Sequence, residues 1–325
     1  MRRLDEDDIR VRPNPRGTRA RSKQRPEHED AAPGQVLTVD RGRYRVLMNG
    51  VEVTAMRARE LGRKGIVVGD RVDVIGDRSG ATDALARIVR RSPRRSVLRR
   101  TADDTDDTER IVVANADQLL IVTALADPPP RLGFIDRCLV AALTEGIEPV
   151  LCLTKSDLAS PDAVLANFAE FDLPVLVTQR GGDLTGLRAR LHDQVSVFVG
   201  HSGVGKSTLI NALVPDANRI TGSVSAIGKG RHISTSTLAL PLPGGGWVID
   251  TPGVRSFGLA HVSAQDLLWA FPDLEDGANA CPPGCEHLSA ADGCTLDAYV
   301  AAGHSATARL AAFRRLLLSR SAAPD

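Results

Sequence analysis

Hydrophobic positions along the chain fall into two regimes that change near residue 100. Between residues 34 and 75, short runs of strand character at 35–39, 44–48, 51–56 and 71–75 are separated by the turn signals Asp40-Arg41-Gly42, Asn49-Gly50 and Val68-Gly69-Asp70. Four or five strands in so short a stretch predict a small β-barrel of the oligonucleotide-binding (OB) kind. From residue 117 the pattern changes. Near-continuous apolar runs at 117–123, 149–153 and 174–177 alternate with segments of helical spacing at 134–145 and 163–171. That alternation predicts a mostly parallel sheet covered on both faces by helices. Between the regimes, the basic residues Arg90 to Arg100 run into the acidic Asp103 to Glu109, and charge blocks of this kind read as a linker.

Composition adjusts this picture at a few points. At 325 residues the chain is too long for one ordinary domain. Its first 33 residues carry Arg10, Arg12, Arg16, Arg19, Arg21, Lys23 and Arg25 with little that is apolar, so a disordered basic tail is expected, either merely solvated or an arm for RNA phosphates. The expected division is therefore 1–33 tail, 34–97 barrel, 98–260 α/β domain and 261–325 a small helical domain. An Arg-rich barrel face suits nucleic acid, with a purely structural barrel as the competing reading. Net charge is only +1, and no 18-residue apolar run or signal core is present. A soluble, cytoplasmic monomer with no membrane partner is expected.

The strongest chemical signal is Gly200-His201-Ser202-Gly203-Val204-Gly205-Lys206-Ser207-Thr208, which follows the strand-like 195–199 and opens into the helix-like 209–213. Glycines let consecutive N–H groups turn inward onto phosphate oxygens, and the helix start adds positive potential. Lys206 is placed for the β and γ phosphates and Ser207 for Mg²⁺. An ordinary Gly-rich turn would need neither the preceding strand nor the following helix.

Thr154-Lys155-Ser156-Asp157 stands at the end of another apolar run, where open α/β sheets bind ligands. A carboxylate there accepts from both the ring N–H and the amino group of guanine, whereas adenine leaves it unpaired. Lys155 would lay its stem along the base. Alone the tetrapeptide reads equally as a surface turn. Thr178-Gln179-Arg180-Gly181-Gly182 ends the next run and is a weaker base-contacting candidate. Residues 220–235, rich in Gly, Ser and Thr and without periodicity, read as a mobile loop whose hydroxyls, Ser234 or Thr235, could complete a Mg²⁺ shell. Asp250-Thr251-Pro252-Gly253 closes a further strand, with Asp250 placed for Mg²⁺ and the Gly253 N–H for the γ-phosphate. Val254 stands where a water-orienting glutamine is common, so slow intrinsic hydrolysis is expected, with His232 the candidate for positioning the water or, equally, a solvated loop histidine.

Cys138 and Cys152 lie singly in apolar runs and read as small buried hydrophobes, whereas Cys281, Cys285, His287 and Cys294 share the spacing C-x₃-C-x-H-x₆-C. Three thiolates and an imidazole fit a closed tetrahedral Zn²⁺ site with no position left for water, hence a structural metal. Near the C-terminus, 305–319 alternates Arg309, Arg314 and Arg315 with leucines and Phe313, an amphipathic helix whose basic face is an RNA-contact candidate.

In common GTPases the base-reading motif follows the phosphate loop and D-x-x-G, but here Thr154 to Asp157 precedes both. With this permuted order, Gly230-Arg231-His232, an N-terminal barrel and the C-terminal Cys/His cluster, the chain resembles the small-subunit-dependent RsgA/YjeQ family of GTPases over about residues 34 to 300. The resemblance implies an OB-like barrel, a circularly permuted P-loop GTPase domain and a zinc domain in a late assembly factor of the small ribosomal subunit. It also implies binding to that subunit's rRNA and subunit-stimulated hydrolysis of GTP to GDP. Carried over, Lys155 and Asp157 contact guanine, Gly203, Gly205 and Lys206 contact phosphate, Ser207 and Asp250 hold Mg²⁺, and the Cys/His cluster holds zinc. The family's usual His-Thr-Thr stands here as His232-Ile233-Ser234-Thr235, and Thr154 replaces a frequent asparagine. A P-loop ATPase with an RNA-binding barrel, or a non-catalytic RNA-binding module, are the alternatives to separate.

Overall fold

The computed structural model describes residues 28–61, 65–103, 106–215, 237–251, 257, 259 and 262–320. Of the expected basic tail, residues 1–27 lie outside the described residues, as does the whole of the expected mobile loop, 220–235. The chain divides into two compact units, Met1–Arg94 and Arg95–Asp325.

In the first unit, strands β1 (Ala32–Asp40), β2 (Arg43–Met48), β3 (Val51–Arg57), β4 (Arg71–Gly76) and β5 (Ala86–Arg91) close into a ring. The pairings run β1–β2–β3–β5–β4 and back to β1, all antiparallel except β3 with β5. Closure leaves no free sheet edge. Alternation sends Val36, Val46, Val53, Val74 and Ile88 into the barrel core, all of them fully buried. The fifth strand was hidden in the sequence because a register shift at Asp73/Val74 puts Ile88 and Val89 both inside, which breaks the two-residue period.

The charged stretch expected to be a linker is not one. Arg90 and Arg91 belong to β5, and Arg94 forks onto the fully buried carboxylate of Asp70 with two bonds of 2.8 Å. The Val67 N–H supplies a third. A buried carboxylate needs such partners, because its hydration is lost on folding. Further on, β6 (Val97–Asp103) and β7 (Asp106–Ala114) form a hairpin. Leu98, Ile111 and Val113 give it an apolar side that the run of charges obscured.

The second unit carries a sheet of order β10–β9–β8–β11–β13–β12, built from β8 (Gln118–Ala124), β9 (Glu148–Thr154), β10 (Val175–Val177), β11 (Val195–Val199), β12 (Leu238–Pro241) and β13 (Trp247–Asp250). The first five in that order are parallel, and β12 pairs antiparallel with β13. Strands β8 to β10 wind outward in one direction, and β11 then returns to the other side of β8. The ends of β8 and β11 therefore flank the reversal point, where sheets of this class open a crevice. Helices α1 (Leu132–Thr144), α2 (Asp162–Phe168), α3 (Thr185–Leu191) and α4 (Lys206–Leu213) connect the strands.

The last part of the unit is helical: α5 (Ala264–Leu268), α6 (Glu275–Asn279), α7 (Leu296–Ala301) and α8 (Thr307–Ser319). The arginines of its longest helix, whose basic face is the RNA-contact candidate, are half-buried and each pairs with an aspartate. Arg315 pairs with buried Asp136 of α1 at 3.1 Å, and Arg309 pairs with Asp273 and lies over the Phe271 ring. Arg314 pairs with Asp297. In return Arg137 of α1 donates to the Ser319 carbonyl at 2.8 Å and to the Phe257 carbonyl at 3.0 Å. The reason is stereochemical: the guanidinium groups find carboxylates and carbonyls within reach, and those of Arg309 and Arg315 also lie over phenylalanine rings. Cys138 and Cys152 are fully buried, and burial pushes the Cys152 thiol up to about 12, as small core hydrophobes require.

Burial also pushes Asp136 up to about 6, against the pull of Arg315. A carboxyl that holds its proton more tightly folded than unfolded loses stability as pH rises from about 4 through about 6, by roughly 2–3 kcal/mol in all. Asp136→Asn should therefore gain on the wild type in melting temperature between pH 5 and pH 7 and show no such gain between pH 7 and pH 8, which thermal unfolding across that range checks.

Candidate nucleotide site and metal centre

The loops after β9 and β11 meet in one cleft of about 920 Å³ at the carboxyl ends of the strands. Thr154, Lys155 and Asp157 line it together with Gly200, Ser202, Gly203, Gly205, Lys206, Ser207 and Thr208. Asp157 and Lys206 thus flank the same space.

The phosphate loop has its shape for identifiable reasons. At Gly200 the backbone passes so close to β8 that a Cβ would lie 2.5 Å from the Val122 carbonyl oxygen. Gly205, immediately before α4, has φ +92, a region that side chains disfavour. Between them Val204 buries its side chain in the sheet's core, so it anchors the loop rather than lining the cleft. The N-terminus of α4 then aims its free N–H groups into the cleft, where anions are favoured.

The base-reading loop is tied to this cradle directly. The buried Thr154 hydroxyl donates to the Val204 carbonyl at 2.6 Å, so this side chain joins the two loops. Lys155 adopts φ +60 and its ammonium donates to the Asp127 carbonyl. Ser156 N–H reaches the Thr178 carbonyl, and Thr178 N–H the Leu153 carbonyl, so the loop after β10 braces the one after β9. Gln179 and Arg180 of that third loop also line the cleft.

Asp250 ends β13, and its carboxylate pairs with the Lys206 ammonium. Next to it the buried Thr251 hydroxyl donates to the Phe198 carbonyl at 2.9 Å and locks this strand end to β11. Gly253, Val254, His232, Ser234 and Thr235 lie outside the described residues. One site residue escaped the sequence reading, Asp127 in the loop after β8, and His201 of the phosphate loop packs its ring on Phe134 of α1 with centroids 4.3 Å apart. Asp127 lies just past a strand end and before three prolines, a signal that becomes informative only once β8 is known to border β11.

In the helical part, the donor atoms of Cys281, Cys285, His287 and Cys294 all lie within 4.8 Å of one another. Cys281 Sγ is 3.9 Å from Cys294 Sγ and 3.4 Å from His287 Nδ1. Thiolates on a tetrahedral Zn²⁺ at about 2.3 Å lie about 3.8 Å apart, close to the Cys281–Cys294 separation, so the donor set suits such an ion.

A glycine-rich cradle before α4 and the loop after β9, sharing one cleft at the reversal point of a parallel sheet and met in inverted chain order, define a circularly permuted P-loop GTPase. The chain belongs to the RsgA GTPase family, whose model matches residues 91–260. The small ribosomal subunit biogenesis GTPase RsgA of Shewanella oneidensis is 39% identical over 266 residues, covering 78% of this chain and 74% of that one. Its counterpart from Gemmatimonas aurantiaca is 36% identical over 298 residues, covering 88% and 94%. Among solved structures, YjeQ from Thermotoga maritima superposes with a TM-score of 0.64 at 24% identity, covering 89% of this chain and 98% of that one. YloQ, a circularly permuted GTPase, does so with 0.63 at 22%, covering 91% and 96%.

If the Cys/His cluster holds an ion, its removal frees three thiols in a segment with few large apolar side chains to hold it. Incubating the chain with a strong chelator should lower the melting temperature by several degrees, and Cys285→Ser should reproduce the loss without chelator. Scanning calorimetry with elemental analysis of the untreated protein checks both.

Proposed function

We propose that this GTPase acts on the small ribosomal subunit late in its maturation, in the cytoplasm and as a monomer, and that the subunit accelerates its hydrolysis of GTP to GDP and phosphate. The observation that carries the nucleotide part is the hydrogen bond that joins Thr154 to the phosphate loop, which supports a reading in which Asp157 and Lys206, both lining one cleft, serve the same nucleotide. Asp157 would read guanine with Lys155 along the base, while the amides of 203–208 and Lys206 would hold the phosphates. The names of the relatives from Shewanella and Gemmatimonas support the ribosomal part.

Mg²⁺ bound with the nucleotide supplies positive charge beside the β and γ phosphates. In this chain Ser207 and Asp250 would hold it, with Thr235 or Ser234 from the adjoining loop. The Lys206 pair with Asp250 keeps both side chains at the phosphate end and keeps either from being buried alone. Residues 34–97 serve as the barrel module and 98–260 as the GTPase module. In 261–325 the four ligands hold one structural Zn²⁺. With valine at position 254, orientation of the attacking water falls to the subunit or to His232.

Purified small subunits titrated into the protein should raise GTP turnover many-fold over its intrinsic rate, with the apparent affinity falling steeply as salt increases. A rate indifferent to subunits would remove the ribosomal reading. Separately, Asp157→Ala should erase most of the preference for GTP over ATP, at least about a hundredfold, because the carboxylate that rejects adenine is gone. Competition binding with labelled GDP measures it; a preference for ATP in the wild type would favour the ATPase reading.

A further inference from the structure

Helix α8 meets the Cys/His cluster through two consecutive residues. Phe313 sets its ring against that of His287, with centroids 6.2 Å apart. Arg314 reaches further. Its Nη1 and Nη2 fork onto the Asp297 carboxylate at 2.8 and 2.6 Å, its Nε donates to the His287 carbonyl at 3.0 Å, and its Nη2 lies 3.9 Å from Cys294 Sγ. One planar group therefore touches two of the four ligand residues, held in place by a carboxylate from α7.

Three thiolates and one divalent ion leave the centre with one excess negative charge. An N–H directed at a thiolate draws electron density from the sulfur, and a second bond from the same plane fixes the residue whose left-handed backbone, φ +59 at His287, turns the imidazole inward. Lysine could not serve both, since it offers a single ammonium on a flexible stem. The neighbouring Arg309 gives a contrast on the same helix. It pairs with Asp273 and donates to the Ala270 carbonyl, and none of its bonds among the described residues reaches a ligand residue.

We propose that Arg314 is a positioning residue of the metal centre, orienting His287 and donating to the Cys294 thiolate from a guanidinium that Asp297 holds. This rests on the zinc reading given above. The geometry extends it from four ligands to an outer partner carried by the helix that also docks on α1.

The test uses the full chain, with zinc affinity read by competition against a chromophoric chelator and thiolate donation read from the charge-transfer band of the cobalt-substituted protein. Arg314→Met should weaken zinc binding about 10- to 100-fold and move the band to lower energy, because a sulfur without its donor holds its lone pair less tightly. Arg314→Lys should fall between, and it carries the test if the methionine variant does not fold. Arg309→Met, which removes an ion pair of the same helix, should leave affinity and band as in the wild type. Normal metal uptake by the wild type with both Arg314 variants unchanged would overturn the assignment alone, as would an Arg309 variant that shifts the band equally. A wild-type chain that takes up neither ion would end the zinc reading and the assignment with it.

Discussion

The hydrogen bond from the Thr154 hydroxyl to the Val204 carbonyl is the constraint on which the nucleotide site depends. It joins the chain after β9 to the glycine-rich loop before α4, 50 residues on, in a buried place where neither group could turn to water instead. Several other features exist to permit it. Strand β8 runs between β9 and β11, Gly200 lets the phosphate loop press against β8, and Gly205 turns the loop back toward Thr154. A threonine suffices here, since a single hydroxyl hydrogen satisfies the single carbonyl.

Because strand neighbours and not chain order place the loops, the permutation leaves the site intact. Its consequence lies elsewhere. The segment after Asp250 now leads into the helical part with the Cys/His cluster instead of into the rest of the sheet. Arg137 of α1 binds the Phe257 carbonyl from that connecting segment and the Ser319 carbonyl from the end of α8, while Asp136 beside it binds Arg315. Phe134 on the same helix carries the ring of His201 from the phosphate loop. One helix thus touches the phosphate loop, the connection and the C-terminal helix, and its buried charges are tolerated only because each has a partner across that junction.

The sequence read most clearly where local rules and global fold agree. The parallel strands, the phosphate loop, the base loop and the cysteine–histidine spacing each announce themselves within a few residues, because the chemistry that needs them is local. It misled where long-range pairing outweighed local composition. The run from Arg90 to Glu109 looked like a solvated linker, yet Arg94 is committed to Asp70, 24 residues away, and the following charges sit on a hairpin with an apolar side. The C-terminal arginines read as an unpaired basic face, yet their partners are Asp136, Asp273 and Asp297, none of them within ten residues. A charge is read as exposed until its counter-charge is located.

Which groups are present, a lysine after a glycine cradle, a carboxylate in a base-reading loop, four soft ligands in fourteen positions, was settled by the amino-acid order, since each is a property of a short segment. Which groups face one another was settled only by the folded chain. Nothing in the residues between Thr154 and Val204 states that the two loops share a hydrogen bond, and nothing near Cys294 states that Arg314 reaches it. Those adjacencies arise from strand neighbours and helix docking, and burial selects them because an unpaired polar group inside the protein is too costly to keep.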